Sequence, residues 1–323
     1  MRDAILNFPE QFAFQPVIGN ANALERRTTV IVSGMGGSHL AADLLGAWKP
    51  TLDLVVHSDY GLPPVLGEDR LKNSFLIASS YSGNTEETVN AYDSAKKRGI
   101  PVAVIATGGT LLERAITDGV AFVRLPSTGI QPRSALGLSI KAMLVLLDDH
   151  EGFDAVSCMS SLLRPQESEG AGSEIARRIQ GRAPLIYSSS RNRAVASIWK
   201  IKFNETGKIP AFYNVIPEAN HNEMTGFDLT GSVRELSGRF YAIFLRDSED
   251  DQRVQKRMDI MRDIYQSKGI AGENIVLAGH DRFERMFSSI ILADWAAFST
   301  AESNGADPDG VPLVEEFKRR MAA

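Results

Sequence analysis

The stretch "SSYSGNTEET" (residues 79–88) decides the reading of the chain. It follows the apolar run "NSFLIAS" (73–79) and precedes "VNAYDSAKKRG", whose apolar residues recur at helical spacing. Hydroxyls, a glycine and an amide between a buried strand and a helix admit two readings: a plain turn, or a cradle for a phosphate. An earlier segment has the same layout, with "TTVIV" (28–32), then "SGMGGS" (33–38), then the helical "HLAADLLGAW" (39–48). Working outward, "LDLVVHS" and "PVAVIAT" are further short apolar strands, the second followed by the helical "GGTLLERAITDG". Such alternation predicts parallel strands joined by right-handed crossover helices, a doubly wound α/β domain.

A less apolar region, "EGFDAVSCMSSLLRPQESEGAGSEIARRIQGR" (151–182), is expected to hold the linker. Beyond it the rhythm resumes: "APLIYSSS", "RFYAIFLRD" and "ENIVLAG" read as strands, and "NRAVASIWKIKFNETGK" reads as a helix ending at Gly207. Two helices close the chain. The expected division is residues 1–153 and 154–323, two mainly parallel α/β domains plus C-terminal helices.

Composition removes several function classes. A net charge of −5 gives no basic field for nucleic acid. No run reaches the roughly 18 apolar residues of a membrane span, and the best candidate, "SSIILADWAAF", is broken by Asp294. The acids and proline of "MRDAILNFPEQF" do not suit a secretory signal, and the single cysteine, Cys158, forbids an intrachain disulfide. A cytoplasmic protein is expected, with Cys158 a small apolar filler of no assigned role.

The glycines of "GMGGSHLAAD" do not make a dinucleotide fingerprint, because His39 stands where the third glycine would be. What they allow is close approach of backbone to an anion, to which Ser38 adds a hydroxyl. In an open parallel sheet, ligands bind outside the carboxyl ends of the strands, where both turns lie. Gly37, Ser38, Ser80, Ser82 and Thr85 are therefore the candidate phosphate-binding residues, with Gly83 permitting close approach and Asn84 or Thr85 capping the next helix. Glu86 and Glu87 read as first-turn acids that favour the helix dipole. No lysine of a nucleotide P-loop is present, which suits a single terminal phosphate.

Three more stretches stand out: "QPRSALGLS" (131–139), "FNETGKIPAFYNVIPEANHNEMTGF" (203–227) and "EEFKRR" (315–320). With the two glycine- and serine-bearing turns, they resemble the bifunctional phosphoglucose/phosphomannose isomerases, a two-domain branch of the sugar isomerase (SIS) proteins. The likeness spans nearly the whole chain in the same order. It implies two SIS-type domains and interconversion of glucose 6-phosphate and mannose 6-phosphate with fructose 6-phosphate. Such a reaction opens the sugar ring, moves a proton between C2 and C1, and stabilises a cis-enediolate.

The resemblance makes Glu205 the proton-carrying base and His221 the ring-opening group, contributed to the neighbouring subunit's site of a homodimer. It gives Arg133 the enediolate oxygen, and Lys318 a contact to the sugar. Taken alone, Glu205 also reads as a solvated helix-end acid, poorly placed for the dipole, though its carboxylate has the reach of the sheet's ligand edge. His221 reads as a loop scaffold, Arg133 as a surface ion pair, and Lys318 as part of an exposed helical face. His39, His57, His150 and His280 read as structural. No H-E-x-x-H or Cys/His cluster is present, so neither cofactor nor metal is expected. Ser299 and Thr300 are candidates for the position that sets tolerance of the C2 epimers. The residues after "GGS" and the segment "ESEGAGSE" depart from the family pattern. A non-catalytic sugar-phosphate sensor, or an isomerase of another sugar phosphate, would carry the same cradle.

Overall fold

In a computed structural model, residues 1–228 and 233–321 are described. The chain forms two compact units, Asn7–Leu163 and Arg164–Ala323, the second joined by Met1–Leu6.

The N-terminal unit is built on a six-stranded sheet of β1 (Ile18–Gly19), β2 (Thr29–Ser33), β3 (Leu54–His57), β4 (Ser74–Ser79), β5 (Val102–Ala106) and β6 (Ala121–Arg124). Its order is β1-β6-β5-β4-β2-β3, parallel except for the short edge strand β1. Every residue of β2, β4 and β5 is buried. Strands covered on both faces need this continuous apolar character rather than alternation. Leu76, Val104, Leu111 and Ala91 belong to one core cluster that packs helices Glu86–Lys97 and Gly109–Thr117 onto the sheet. Each fully buried Leu, Ile or Val contributes about 1.5–3 kcal/mol.

The C-terminal unit repeats the plan with four strands: β7 (Ala183–Ser189), β8 (Phe212–Ile216), β9 (Phe240–Arg246) and β10 (Ala271–Val276). Their order, β10-β9-β7-β8, is all parallel and matches β5-β4-β2-β3 strand for strand. The long helix Arg282–Ser303 packs on helices Pro165–Ile179 and Arg193–Glu205. Between them lie the wholly buried Trp199 and Trp295, whose indole N–H groups donate to Ser289 Oγ (2.9 Å) and Pro165 O (2.7 Å).

Three expectations are corrected. The division falls at 163/164 rather than 153/154, because helices His150–Ser157 and Met159–Leu162 pack back on Phe8–Ala13, with Lys141 Nζ donating to both Phe12 O and Ser157 Oγ at 2.8 Å. The first residues belong with the other unit: Arg2 pairs with Glu169 at 2.9 Å and lies over the Trp295 ring. The segment "ESEGAGSE", a departure from the family pattern, lies inside helix Pro165–Ile179. There Gly172 permits close packing, since a Cβ would fall 2.4 Å from Trp295 Cβ. Cys158 is exposed at the end of its helix rather than filling a core. Among the described residues no helix is long and apolar enough to cross a membrane.

Candidate active site

In the N-terminal sheet the chain leaves β2 for β3 on one side and returns to β4 on the other. The crevice outside the carboxyl ends of β2 and β4 is thus the topological switch point, the usual ligand site of such sheets. Both predicted turns meet there. Ser79 Oγ donates to Ser38 O (2.8 Å), and Tyr81 N donates to Ser38 Oγ (3.0 Å). Gly34 lets the turns close up, since a Cβ would lie 2.7 Å from Ser79 O.

Within "SSYSGNT", Ser80 has no exposed surface. Its hydroxyl bonds Thr85 Oγ1 (2.8 Å) and accepts from Gly83 N (3.1 Å). Ser80 therefore shapes the turn from which the other hydroxyls are presented. Gly83 has φ +73°, and a Cβ there would meet Gly108 O at 1.8 Å, so only glycine serves. Ser82 is exposed and Thr85 half-buried. Thr85 stands at the N-cap of helix Glu86–Lys97 but makes no side-chain cap, and the Asn84 side chain turns instead to accept from Thr110 N (2.9 Å). Neither expected cap forms, which leaves the positive end of the helix dipole facing the crevice.

Arg133 joins this cluster. It sits in the turn Pro132–Ser134 and is 1% exposed, so the surface ion-pair reading fails. Gly37 lies directly against it: a Cβ at 37 would fall 2.5 Å from Arg133 N and 2.6 Å from Pro132 C. Gln11 holds the same turn from afar. Its Nε2 donates to Ser134 O (2.7 Å), while its Oε1 accepts from Gly137 N (3.0 Å) and so caps helix Leu136–Leu147, whose own N-cap, Ala135, has no side chain for the task. Nothing local in the sequence announces Gln11; the partner lies 123 residues away.

In the C-terminal unit, Glu205 is the last residue of helix Arg193–Glu205 and half-buried. A crossover helix runs antiparallel to the strands it joins, so Glu205 lies where β7 and β8 begin and not at the carboxyl edge, as its reach had suggested. Buried Lys202 anchors that helix to Asp294 at 2.8 Å. His221 is exposed, five residues beyond β8, at the opposite edge. The rise of roughly 3.3 Å per residue separates the two ends of β8 by on the order of 13 Å. Lys318 is exposed on helix Pro312–Met321, where Arg319 and Arg320 both close on Glu316. Thr300 is buried and donates to Ala296 O (2.7 Å), and Ser299 Oγ lies 3.0 Å from Ser173 Oγ. Thr300 also lines a cavity of about 340 Å³ with Ile209 and Pro210. A cavity of about 690 Å³ beside the His221 loop, lined by Asn220, Met224, Arg253 and Lys256, contains none of the residues singled out from sequence.

The switch point of the second sheet is filled by the chain itself. Asp250 accepts from Ser189 Oγ (2.6 Å) and Asn192 Nδ2 (3.2 Å), and Asp247 accepts from Arg282 Nη1 (2.7 Å), all five residues being buried. Burial pushes the Asp250 carboxyl up from its ordinary value. Asp251 caps the following helix by accepting from Arg253 N (2.8 Å). In the N-terminal crevice, by contrast, the helix that follows β4 has no side-chain cap, and the exposed Ser82 and half-buried Thr85 stand at its start. The other histidines are local: His39 bonds Asp43 (2.7 Å), His57 bonds Tyr60 O (3.2 Å), and His150 pairs with Asp148 (3.4 Å).

Comparison with known proteins agrees with this architecture. Residues 168–321 match the family model of the bacterial phospho-glucose isomerase C-terminal SIS domain. A putative phosphosugar isomerase of Silicibacter pomeroyi shares the fold, with a TM-score of 0.66 at 18% identity, over 95% of this chain and 99% of that one. The bifunctional phosphoglucose/phosphomannose isomerase of Caldicellulosiruptor bescii is 33% identical over 100% of this chain and 99% of its own. That of Aquifex aeolicus is 33% identical over 97% and 96%. On this full-length likeness, the chain belongs to the family of bifunctional phosphoglucose/phosphomannose isomerases.

Proposed function

We propose that the protein is an aldose–ketose isomerase that interconverts glucose 6-phosphate and mannose 6-phosphate with fructose 6-phosphate. The observation that carries this reading is the hydroxyl-bearing crevice at the N-terminal switch point, with the backbone of the buried Arg133 held against Gly37. Ser38, Ser82, Thr85 and the free N–H groups of helix Glu86–Lys97 anchor the phosphate with neutral donors. Arg133, permanently charged, holds the enediolate oxygen without surrendering a proton. Glu205 carries the proton between C2 and C1, and Lys318 contacts the sugar. Because the two aldoses differ only at C2, both give one enediolate, and a base that reaches either face converts both. Proton transfer of this kind needs no metal.

His221 opens the ring. Its place at the far end of β8 from Glu205 favours delivery to the site of a second copy, so the working form is a homodimer. A coupled assay on the purified protein tests the reading. Both aldoses should turn over, with no loss on addition of a chelator. Glu205→Gln should lower kcat by about 10²–10⁴-fold, as loss of a general base does, and leave phosphate binding intact. Binding without turnover would make the protein a sensor.

A further inference from the structure

Among the described residues, three non-glycines have positive φ: Asn20, Asp148 and Lys208. Asn and Asp enter the left-handed region readily through their short polar side chains; lysine does not. Lys208, at φ 56°, stands three residues after Glu205 and beside a glycine, Gly207, that is not used for the purpose. Gly207 is needed where it is, because a Cβ there would lie 2.8 Å from Phe203 O. Around it the chain reverses, with Thr206 N and Gly207 N both donating to Lys202 O (2.9 and 3.0 Å) and Ile209 N donating to Phe203 O (3.2 Å). A costly backbone conformation borne by a long cationic side chain points to a task for that side chain.

The task is visible. Lys208 Nζ donates to the carbonyl of Glu205 itself and to that of Gly310. The first is a last-turn carbonyl with no intrahelical partner. The second belongs to a turn fixed by Asp307, which accepts from Asp309 N (2.9 Å) and Gly310 N (3.1 Å), two residues before helix Pro312–Met321 with Lys318. The ammonium therefore ties the backbone of one proposed site residue to the root of the helix that bears another. It also places a cation at the helix C-terminus, offsetting the dipole that disfavours an ionised carboxylate at Glu205.

We propose that Lys208 is a positioning residue for the isomerisation, fixing Glu205 and the start of the Lys318 helix in one register; this rests on the reading of Glu205 as the base. Lys208→Gly provides the test, since glycine adopts the same φ freely and removes only the clasp. The expected result is a kcat on both aldoses lowered about tenfold or more, with KM within about twofold and Tm within about 2 °C of the parent. Lys208→Arg, which keeps a cation with several donors, should return kcat to within about threefold. An unchanged kcat in Lys208→Gly overturns the proposal, and so does a kcat that falls only in step with a collapsing Tm. If Glu205→Gln turned over at the parent rate, the reading of the base would fail instead, whatever Lys208→Gly showed.

Discussion

Gly37→Ala isolates the contact between the two turns of the N-terminal site. The Cβ of alanine would stand 2.5 Å from Arg133 N and 2.6 Å from Pro132 C, against 3.4 Å for ordinary contact. The shortfall is about 0.9 Å, and both obstructing atoms are backbone, so no flexible side chain can yield. The Gly36–Ser38 turn and the Arg133 turn must therefore separate by most of an ångström. Misplacement by about 1 Å costs up to 10²-fold in rate, or roughly 2.7 kcal/mol of transition-state stabilisation. Steady-state assays should show kcat/KM lowered by about that factor for both aldoses. Gly36→Ala is the control: with φ +51° and nothing within 4 Å, it loads the backbone by about 1 kcal/mol without parting the turns. Its activity should stay within about threefold of the parent. Equal activities for the two variants would refute the claim that Gly37 sets the distance between the cradle and the turn that carries Arg133.

Lys202→Met leaves Asp294 buried without its cation and should cost about 3–5 kcal/mol in urea unfolding, whereas Lys202→Met with Asp294→Leu should recover most of the loss. Burial raises the Asp250 carboxyl above its unfolded value, so its contribution to folding is present below that value and lost as pH rises through the raised one. Asp250→Asn retains an acceptor for Ser189 Oγ and Asn192 Nδ2, so its Tm should gain on the parent as pH increases from 4 to 8 in scanning calorimetry. Gln11→Ala removes the cap of helix Leu136–Leu147 and the bond to Ser134 O, and thermal unfolding should register about 1–2 kcal/mol.

What the sequence disclosed follows from the range of the interactions involved. The buried strands β2, β4 and β5 and the turns after β2 and β4 were legible because uninterrupted apolar runs and the glycine and hydroxyl residues behind them act locally. Strand β8 was not, for its exposed Phe212 and Tyr213 precede a buried Val215–Ile216 and so show neither alternation nor a continuous apolar run. Helix Pro165–Ile179 was hidden by its glycines, and the use of one of them, the contact of Gly172 with Trp295, lies more than a hundred residues on. Asp294 looked like a flaw in an apolar run because its cation is Lys202, on a different helix. The burial of Arg133 and its support by Gln11 are likewise long-range. The edge on which Glu205 falls was implicit in the strand–helix–strand pattern, since a crossover must return to the start of the sheet.

The shared strand order of the two sheets sharpens the assignment of the site. If topology alone made a ligand crevice, β7 and β9 would provide one as good as that of β2 and β4. They do not, because after β9 the chain places Asp247 and Asp250 where β4 is followed by Ser80 and Gly83, and meets them with Asn192, Ser189 and Arg282. A carboxylate already occupies the place of an anion, and an aspartate already caps the helix whose N–H groups would have bound it. The N-terminal crevice differs in the two properties anion binding requires, donors without internal partners at the helix start and a backbone that admits close approach at Gly37 and Gly83. Duplication of the fold thus yields two switch points, and residue chemistry leaves one of them open.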